Sequence, residues 1–252
     1  MKINSSLPSI FRTLSFLTII AIWLILSYFI EHRLFPSPYN VIKDIGYHLS
    51  EGELIADTIA TFTRAFISFS IAMILGSIIG YLLAKIKILD YFFDSWVIIG
   101  LNIPALVLVI LFYIWLGLNE IALIAAVVLN KIPIVIVNIR EGTRSMEKSY
   151  FQIGKVYQLN NFLIWTKLIL PQLYPYLMTS ARTGLSLIWK IVLVFELLGR
   201  GNGIGFQIQV FFQFFDISSL LAYSIFFMTI ILLIENFIMI PIEKKATHWR
   251  KI

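Results

Sequence analysis

Cysteine is absent from the 252 residues. That removes a disulfide framework, a thiolate nucleophile and a cysteine-ligated metal from consideration, and leaves the redox compartment unread. Charge is scarce too: Asp, Glu, Lys and Arg make up 13% of the chain, against roughly 25% in a soluble domain. A water-soluble globule is excluded on that ground. The phosphate-cradling pattern Gly-x-x-x-x-Gly-Lys-Ser/Thr does not occur, so the chain does not hydrolyse ATP by that route. His32, His48 and His248 fall in separate segments, without a His-Glu-x-x-His spacing or a paired acidic motif. Neither a zinc site nor a metalloprotease is signalled, and no cofactor is expected.

What fills the chain is apolar residues, 59% of the total, with a mean hydropathy of +0.88. They gather in runs at about 11–30, 58–84, 91–115, 121–137, 174–198 and 217–241. Each is near the roughly 20 residues that a helix needs to cross about 30 Å of hydrocarbon. The expectation is an all-α integral membrane protein, one transmembrane domain over 1–252 with six spans, both termini on one side. The first run is followed by Glu31-His32-Arg33 with no small-residue cleavage pattern, and reads as an uncleaved first helix. Residues 34–57 are more polar. Pro36, Pro38 and the apolar Val41, Ile42 and Ile45 suggest a short amphipathic helix lying at the surface.

Placing the N-terminus inside puts Lys2, Arg12, Lys85, Lys87, Arg140, Arg144, Lys148, Lys155, Lys167, Lys244, Lys245, Arg250 and Lys251 on inner segments, and only Arg33, Lys43 and Arg200 on outer ones. The positive-inside rule therefore selects cytoplasmic termini, and the net charge of +6 reads as a topology signal rather than a nucleic-acid footprint. The inner loop 139–172 is too long for a turn and carries helical patterning, which marks it as functional.

Polar groups inside the spans are costly unless they face protein or water. Asn102 with Pro104, Asn130 with Lys131 and Pro133, and Lys190 with Glu196 are the instances. As a translocation pathway these would be Asn102, Asn130, Lys190 and Glu196; as a structural set, the Asn side chains would bond neighbouring helices and Lys131 and Lys190 would snorkel to an interface. The prolines predict kinks in the third and fourth spans. Arg64 is expected to anchor its span at the headgroups, Gly76-x-x-x-Gly80 to allow close helix packing, and the glycine-rich stretch 199–205 to form a turn rather than a nucleotide site.

The segment Gln152-Ile-Gly-Lys-Val-Tyr-Gln-Leu-Asn160, followed by Leu170-Pro171 and Pro175, resembles the cytoplasmic signature of ABC importer permeases: Glu-Ala-Ala, a Gly several residues on, then Leu-Pro. The likeness extends through Phe35-Pro-Ser-Pro38, Gly52-Glu-Leu54, Thr61 to Arg64, Ile103-Pro104, Gly117, Arg182, Trp189, Glu196-Leu-Leu198, Gly203-Ile-Gly205 and Trp249-Arg250, and it is to the nitrate, sulfonate, taurine and bicarbonate branch. Gln152, Gly154 and Gln158 depart from the signature, standing where the family has Glu, Ala and Gly. If the turn at 158 needs a left-handed residue, Gln there is the costlier choice.

The resemblance implies a type I importer permease whose loop between spans four and five docks a cytoplasmic ATPase through Gln152, Ile153, Gly154, Lys155, Gln158 and Leu159, with Pro171 starting the return into the membrane. It implies three protein partners: an ATPase dimer, an extracytoplasmic solute-binding protein and a second permease copy. ATP hydrolysis would sit on the ATPase and the chain itself would not be an enzyme. The solute implied is a small anion, with thiamine-precursor heterocycles as the alternative. A secondary transporter should show membrane-embedded carboxylates and related halves, and a membrane enzyme a convergent catalytic cluster; only Glu196 and Glu235 answer the first, and nothing answers the second.

Overall fold

The computed structural model describes residues 7–30 and 34–247; His32, His248 and the Trp249-Arg250 pair lie outside the described residues. Helices α1 (Leu7–Ile30) and α2 (Pro38–Ser50) precede the long α3 (Leu54–Lys85). Next come α4 (Lys87–Asn102), α5 (Ala105–Leu116) and α6 (Glu120–Arg144). The loop helices α7 (Lys148–Val156) and α8 (Asn161–Leu163) lead through a π-helical segment, Ile164–Ile169, into α9 (Leu170–Gly199). The chain finishes with α10 (Ile204–Gln213), α11 (Ile217–Ile234), a second π segment at Glu235–Met239, and α12 (Ile240–Thr247). No strand occurs among the described residues.

The all-helical expectation holds, and the count of about six spans is not confirmed among the described residues. Three helical stretches, Leu54–Lys85, Glu120–Arg144 and Ile217–Lys244, are long and apolar enough to cross a membrane, and α4 with α5 makes a fourth if the bent pair counts as one span. The first run contributes a shorter apolar stretch, Leu14–Ile30, and the fifth lies in α9, where Arg182, Lys190 and Glu196 interrupt the apolar pattern. The expected kink in the third span is a break of 97°. Pro104 supplies no N–H and forces the residue before it out of the helical region, and Ile103 accordingly sits at φ −68°, ψ 122°. Pro133, in contrast, is carried inside α6, where its ring presses on Gly100 of α4 so closely that a Cβ there would lie 2.6 Å from Cγ.

The centre of the molecule is α3, α6 and α9. Gly76 and Gly80 form the α3–α6 seam: an added Cβ would come within 2.6 Å of Val135 Cβ and 2.7 Å of the Ile136 carbonyl oxygen, so the small residues let the backbones meet, as the sequence suggests. Towards one end α9, α3 and α11 lock through aromatic rings. Phe62 meets Trp189 edge-on at 4.7 Å between centroids and packs on Phe227 at 5.5 Å. Helix α2 folds onto α11 through His48, which shares a 3.0 Å hydrogen bond with Ser219 and stacks among Phe211 and Tyr223. Contacts between α3 and α6 rise together in sequence, from Arg64 with Glu120 to Gly80 with Ile139, so these two helices run parallel. Helix α9 runs antiparallel to both, from Tyr176 beside Gly142 to Glu196 beside Arg64, and the molecule therefore has two ends. One carries α7 (the loop end); the other carries the 199–205 turn (the turn end).

Candidate coupling and translocation site

At the loop end a short helix is fastened to the bundle but presents its outer side to solvent. Gln172 Oε1 accepts from the Glu147 backbone N–H at 3.0 Å, tying the entry of α7 to the first turn of α9. Lys85 Nζ, the last residue of α3, lies 5.6 Å and 5.4 Å from the ring centroids of Tyr81 and Phe151, a cation bridging α3 and α7. Tyr81 packs in turn on Trp165 at 4.8 Å. Below them Arg140 donates to Asp90 at 3.1 Å and to Asp94 at 2.7 Å, and Arg144 pairs with Asp90 and Glu141, so the start of α4 and the end of α6 move together.

Within α7, Gly154 is buried, whereas Gln152, Ile153, Lys155 and Gln158 are exposed and Leu159 is half-buried. Val156 and Tyr157 are 80% and 74% exposed, a large apolar display for so short a helix. A Cβ on Gly154 would lie 2.9 Å from Leu168 Cδ1, so this glycine is the contact point between α7 and the segment returning to the membrane. The helix closes in a Schellman motif: Gln158 N–H donates to the Lys155 carbonyl at 3.1 Å and Leu159 N–H to the Gly154 carbonyl at 3.0 Å. The residue between them must be left-handed, and Gln158 has φ +47°. An L side chain pays for that conformation. Gln158→Gly is expected to stabilise this turn by about 1 kcal/mol, seen as slower amide exchange over residues 154–159 with no change elsewhere.

Pro171 stands in the first turn of α9, where the π-helical segment passes without a break into α-helix. Of the four residues read as a pathway, Asn102 is exposed and donates to the Ile98 carbonyl at 2.7 Å. Asn130 reaches the Ile103 carbonyl at 3.5 Å, a long contact to the group freed by the break before Pro104. Lys190 is exposed on α9 beside Ser186 and Ser224, and Glu196 is fully buried. They do not converge on one point.

Glu196 belongs instead to a network at the turn end that sequence reasoning missed. Arg64, expected at the headgroups, is only 4% exposed and uses its whole guanidinium inside the protein. Nε and Nη2 hold Glu120 at 2.9 and 2.8 Å, Nη1 holds Glu196 at 2.5 Å and the Asn202 carbonyl at 3.0 Å, and Nη2 also reaches Asn202 Oδ1. Glu196 completes its shell with Thr61 Oγ1 at 2.9 Å and Gly205 N–H at 3.0 Å. Asp57 accepts from Gly203 N–H at 2.7 Å and Thr61 from Ile204 N–H at 2.9 Å. The first amides of α10 are thus capped by side chains of α3 and α9, which satisfies both orphan donors and the positive helix terminus. The 199–205 stretch is a turn, as expected, with no N–H of residues 203–205 left for a ligand. Arg200 adds a bond to Glu120 at 2.5 Å. One signal for this network was present in the sequence: Asp57, Thr61, Arg64 and Ser68 recur at spacings of four, three and four on an otherwise apolar helix, which puts them on one face. Lys131, expected to snorkel, is likewise buried.

Residues 72–240 match the family model described as "Binding-protein-dependent transport system inner membrane component". The chain is similar to the putative aliphatic sulfonates transport permease protein SsuC of Bacillus subtilis, 26% identical over 234 residues covering 92% of this chain and 84% of the relative. It is also similar to the bicarbonate transport system permease protein CmpB of Synechococcus elongatus, 27% identical over 186 residues, 73% of this chain and 67% of that one. Among solved structures, an inward-facing conformation of the MetNI methionine ABC transporter aligns with a TM-score of 0.66 at 17% identity, covering 78% of this chain and 99% of that one. The last is a likeness of fold.

Proposed function

Since this chain belongs to the inner membrane components of binding-protein-dependent transport systems, and is thereby an ABC importer permease and not an enzyme, we propose that it carries a small anion of the sulfonate or bicarbonate kind. In this reading the loop end is cytoplasmic, a homodimer of the chain spans the membrane, and a solute-binding protein delivers the anion at the turn end. The substrate class rests on what the relatives SsuC and CmpB are named for.

The observation that carries the coupling assignment is α7 itself. It shows Ile153, Val156 and Tyr157 outward while Lys85, Gln172 and Leu168 hold its inner side to α3 and α9. A partner gripping that face transmits a displacement to the spans as a rigid body, the kind of two-state motion importers use. Gln152, Ile153, Lys155 and Gln158 are the ATPase contacts, Gly154 and Leu159 the joint beneath them, and Pro171 the start of the arm into the membrane.

The test is co-purification of the solubilised permease with its ATPase, followed by uptake of an alkanesulfonate or bicarbonate in membrane vesicles. Gly154→Trp drives an indole into the space held by Leu168, and is expected to keep the ATPase bound while lowering uptake about tenfold, the size of a lost allosteric coupling. Normal uptake at normal expression would remove Gly154 from the coupling joint. A permease that inserts but never captures an ATPase would overturn the importer assembly.

A further inference from the structure

Helix α9 is the most polar of the long helices in its middle, and its polar residues are not scattered. Thr179, Thr183, Ser186 and Lys190 are all exposed, and at about 100° per residue they fall within about 60° of one another around the helix axis. Arg182 flanks this stripe. Its charge is already matched, by Glu243 at 2.8 Å and Glu235 at 3.3 Å. Lys190 is different: it is exposed and has no ion-pair partner among the described residues. It stands nine residues before the end of α9 at Gly199, about 13 Å along the axis, which in the importer reading lies within the bilayer.

The Thr179 and Thr183 hydroxyls donate to the carbonyls of Pro175 and Thr179 in their own helix, but an unpaired ammonium at that position, next to the exposed Ser186 one turn away, is not a lipid-facing arrangement. Beside it lies an open cavity of about 260 Å³ between α9 and α11, mostly apolar in its lining, with Ser186, Lys190 and Ser224 set among Trp189, Phe227 and Met228. That volume suits a small solute. We infer that this face of α9 is the wall of the solute path and that Lys190 is its selectivity charge, drawing in a small oxyanion with the Ser186 hydroxyl as the donor beside it. The inference rests on the importer reading and deepens it. It gives the anion a contact in the permease, where delivery by a binding protein alone would need none.

The absence of cysteine makes the test clean when labelling is read on the permease band, because each introduced thiol is the only one in its chain. Ser186→Cys, in membrane vesicles holding the assembled transporter, is treated with the anionic sulfonatoethyl and the cationic trimethylammonioethyl methanethiosulfonates. Both rates are referred to those of Val156→Cys on the exposed loop helix, which also reports insertion. With Lys190 present, the anionic reagent is expected to be favoured about tenfold over the cationic one. Lys190→Gln should abolish that preference and Lys190→Arg should keep it. An unreactive Ser186→Cys beside a reactive Val156→Cys would show the face covered by lipid or protein and overturn the path. Equal rates for the two reagents would overturn the anion selectivity. ATPase co-purification, measured on the same vesicles, separates these failures from failure of the importer reading.

Discussion

Arg64→Met is expected to cost about 3–5 kcal/mol of stability, the penalty for leaving a buried charge without its partner. The reason lies in the unequal positions of its two carboxylates. Glu120 is 46% exposed and can turn to water, but Glu196 has no exposure at all and would keep only Thr61 and the Gly205 amide. The Asn202 carbonyl and side chain would lose their donors as well. Thermal unfolding in detergent reads the effect. Replacing both members, Arg64→Met with Glu196→Met, is expected to recover most of the loss, because an apolar pair of similar volume substitutes for a buried ion pair at little net cost. A double variant as unstable as the single one would mean that Arg64 acts mainly through Glu120 and Asn202, not through Glu196.

Gly205→Ala is the second large effect. A Cβ there would stand 2.2 Å from the Leu193 carbonyl oxygen and 2.8 Å from Glu196 Cβ. The first of these is backbone and cannot rotate aside, so α10 must move away from α9 and stretch the Gly205–Glu196 bond. Overpacking of this kind costs about 3 kcal/mol, and the lost cap adds to it. Gly201→Ala, four residues earlier, meets nothing within 4 Å and is expected to be neutral. The pair of melting curves distinguishes a steric demand at one position from a general need for glycine in the turn. Equal melting temperatures for the two variants would refute the close approach.

The sequence made the helical membrane architecture legible through its apolar runs, and the helical loop before α9 through the patterning of 139–172. Three things were not legible, each for a physical reason. The 97° bend was readable only as a kink, because Pro104 and Pro133 look alike in sequence while one ends a helix and the other is absorbed by α6 packed on Gly100. Arg64 looked like an interfacial anchor because its partners lie 56 and 132 positions away, and pairing over such distances leaves no local trace. Gln158 was readable as a departure at a glycine position, and the left-handed backbone there gives the physical cost of that departure. Of the four residues read as a pathway, only Lys190 falls in line with Ser186, Thr183 and Thr179 on α9; Asn102, Asn130 and Glu196 stand apart.

The π-helical segment Ile164–Ile169 sets the phase between the loop helix α7 and α9. Its hydrogen bonds close one residue later than those of an α-helix, so the chain carries an additional residue into the same run of turns, and each residue of an α-helix is worth about 100° of rotation. The azimuth at which the α7 arm leaves the bundle is therefore not the one that the register of α9 would dictate by itself. The segment works as an angular offset between two rigid parts, so the direction in which the loop helix leaves and the side to which α9 turns Thr179, Thr183, Ser186 and Lys190 are set separately.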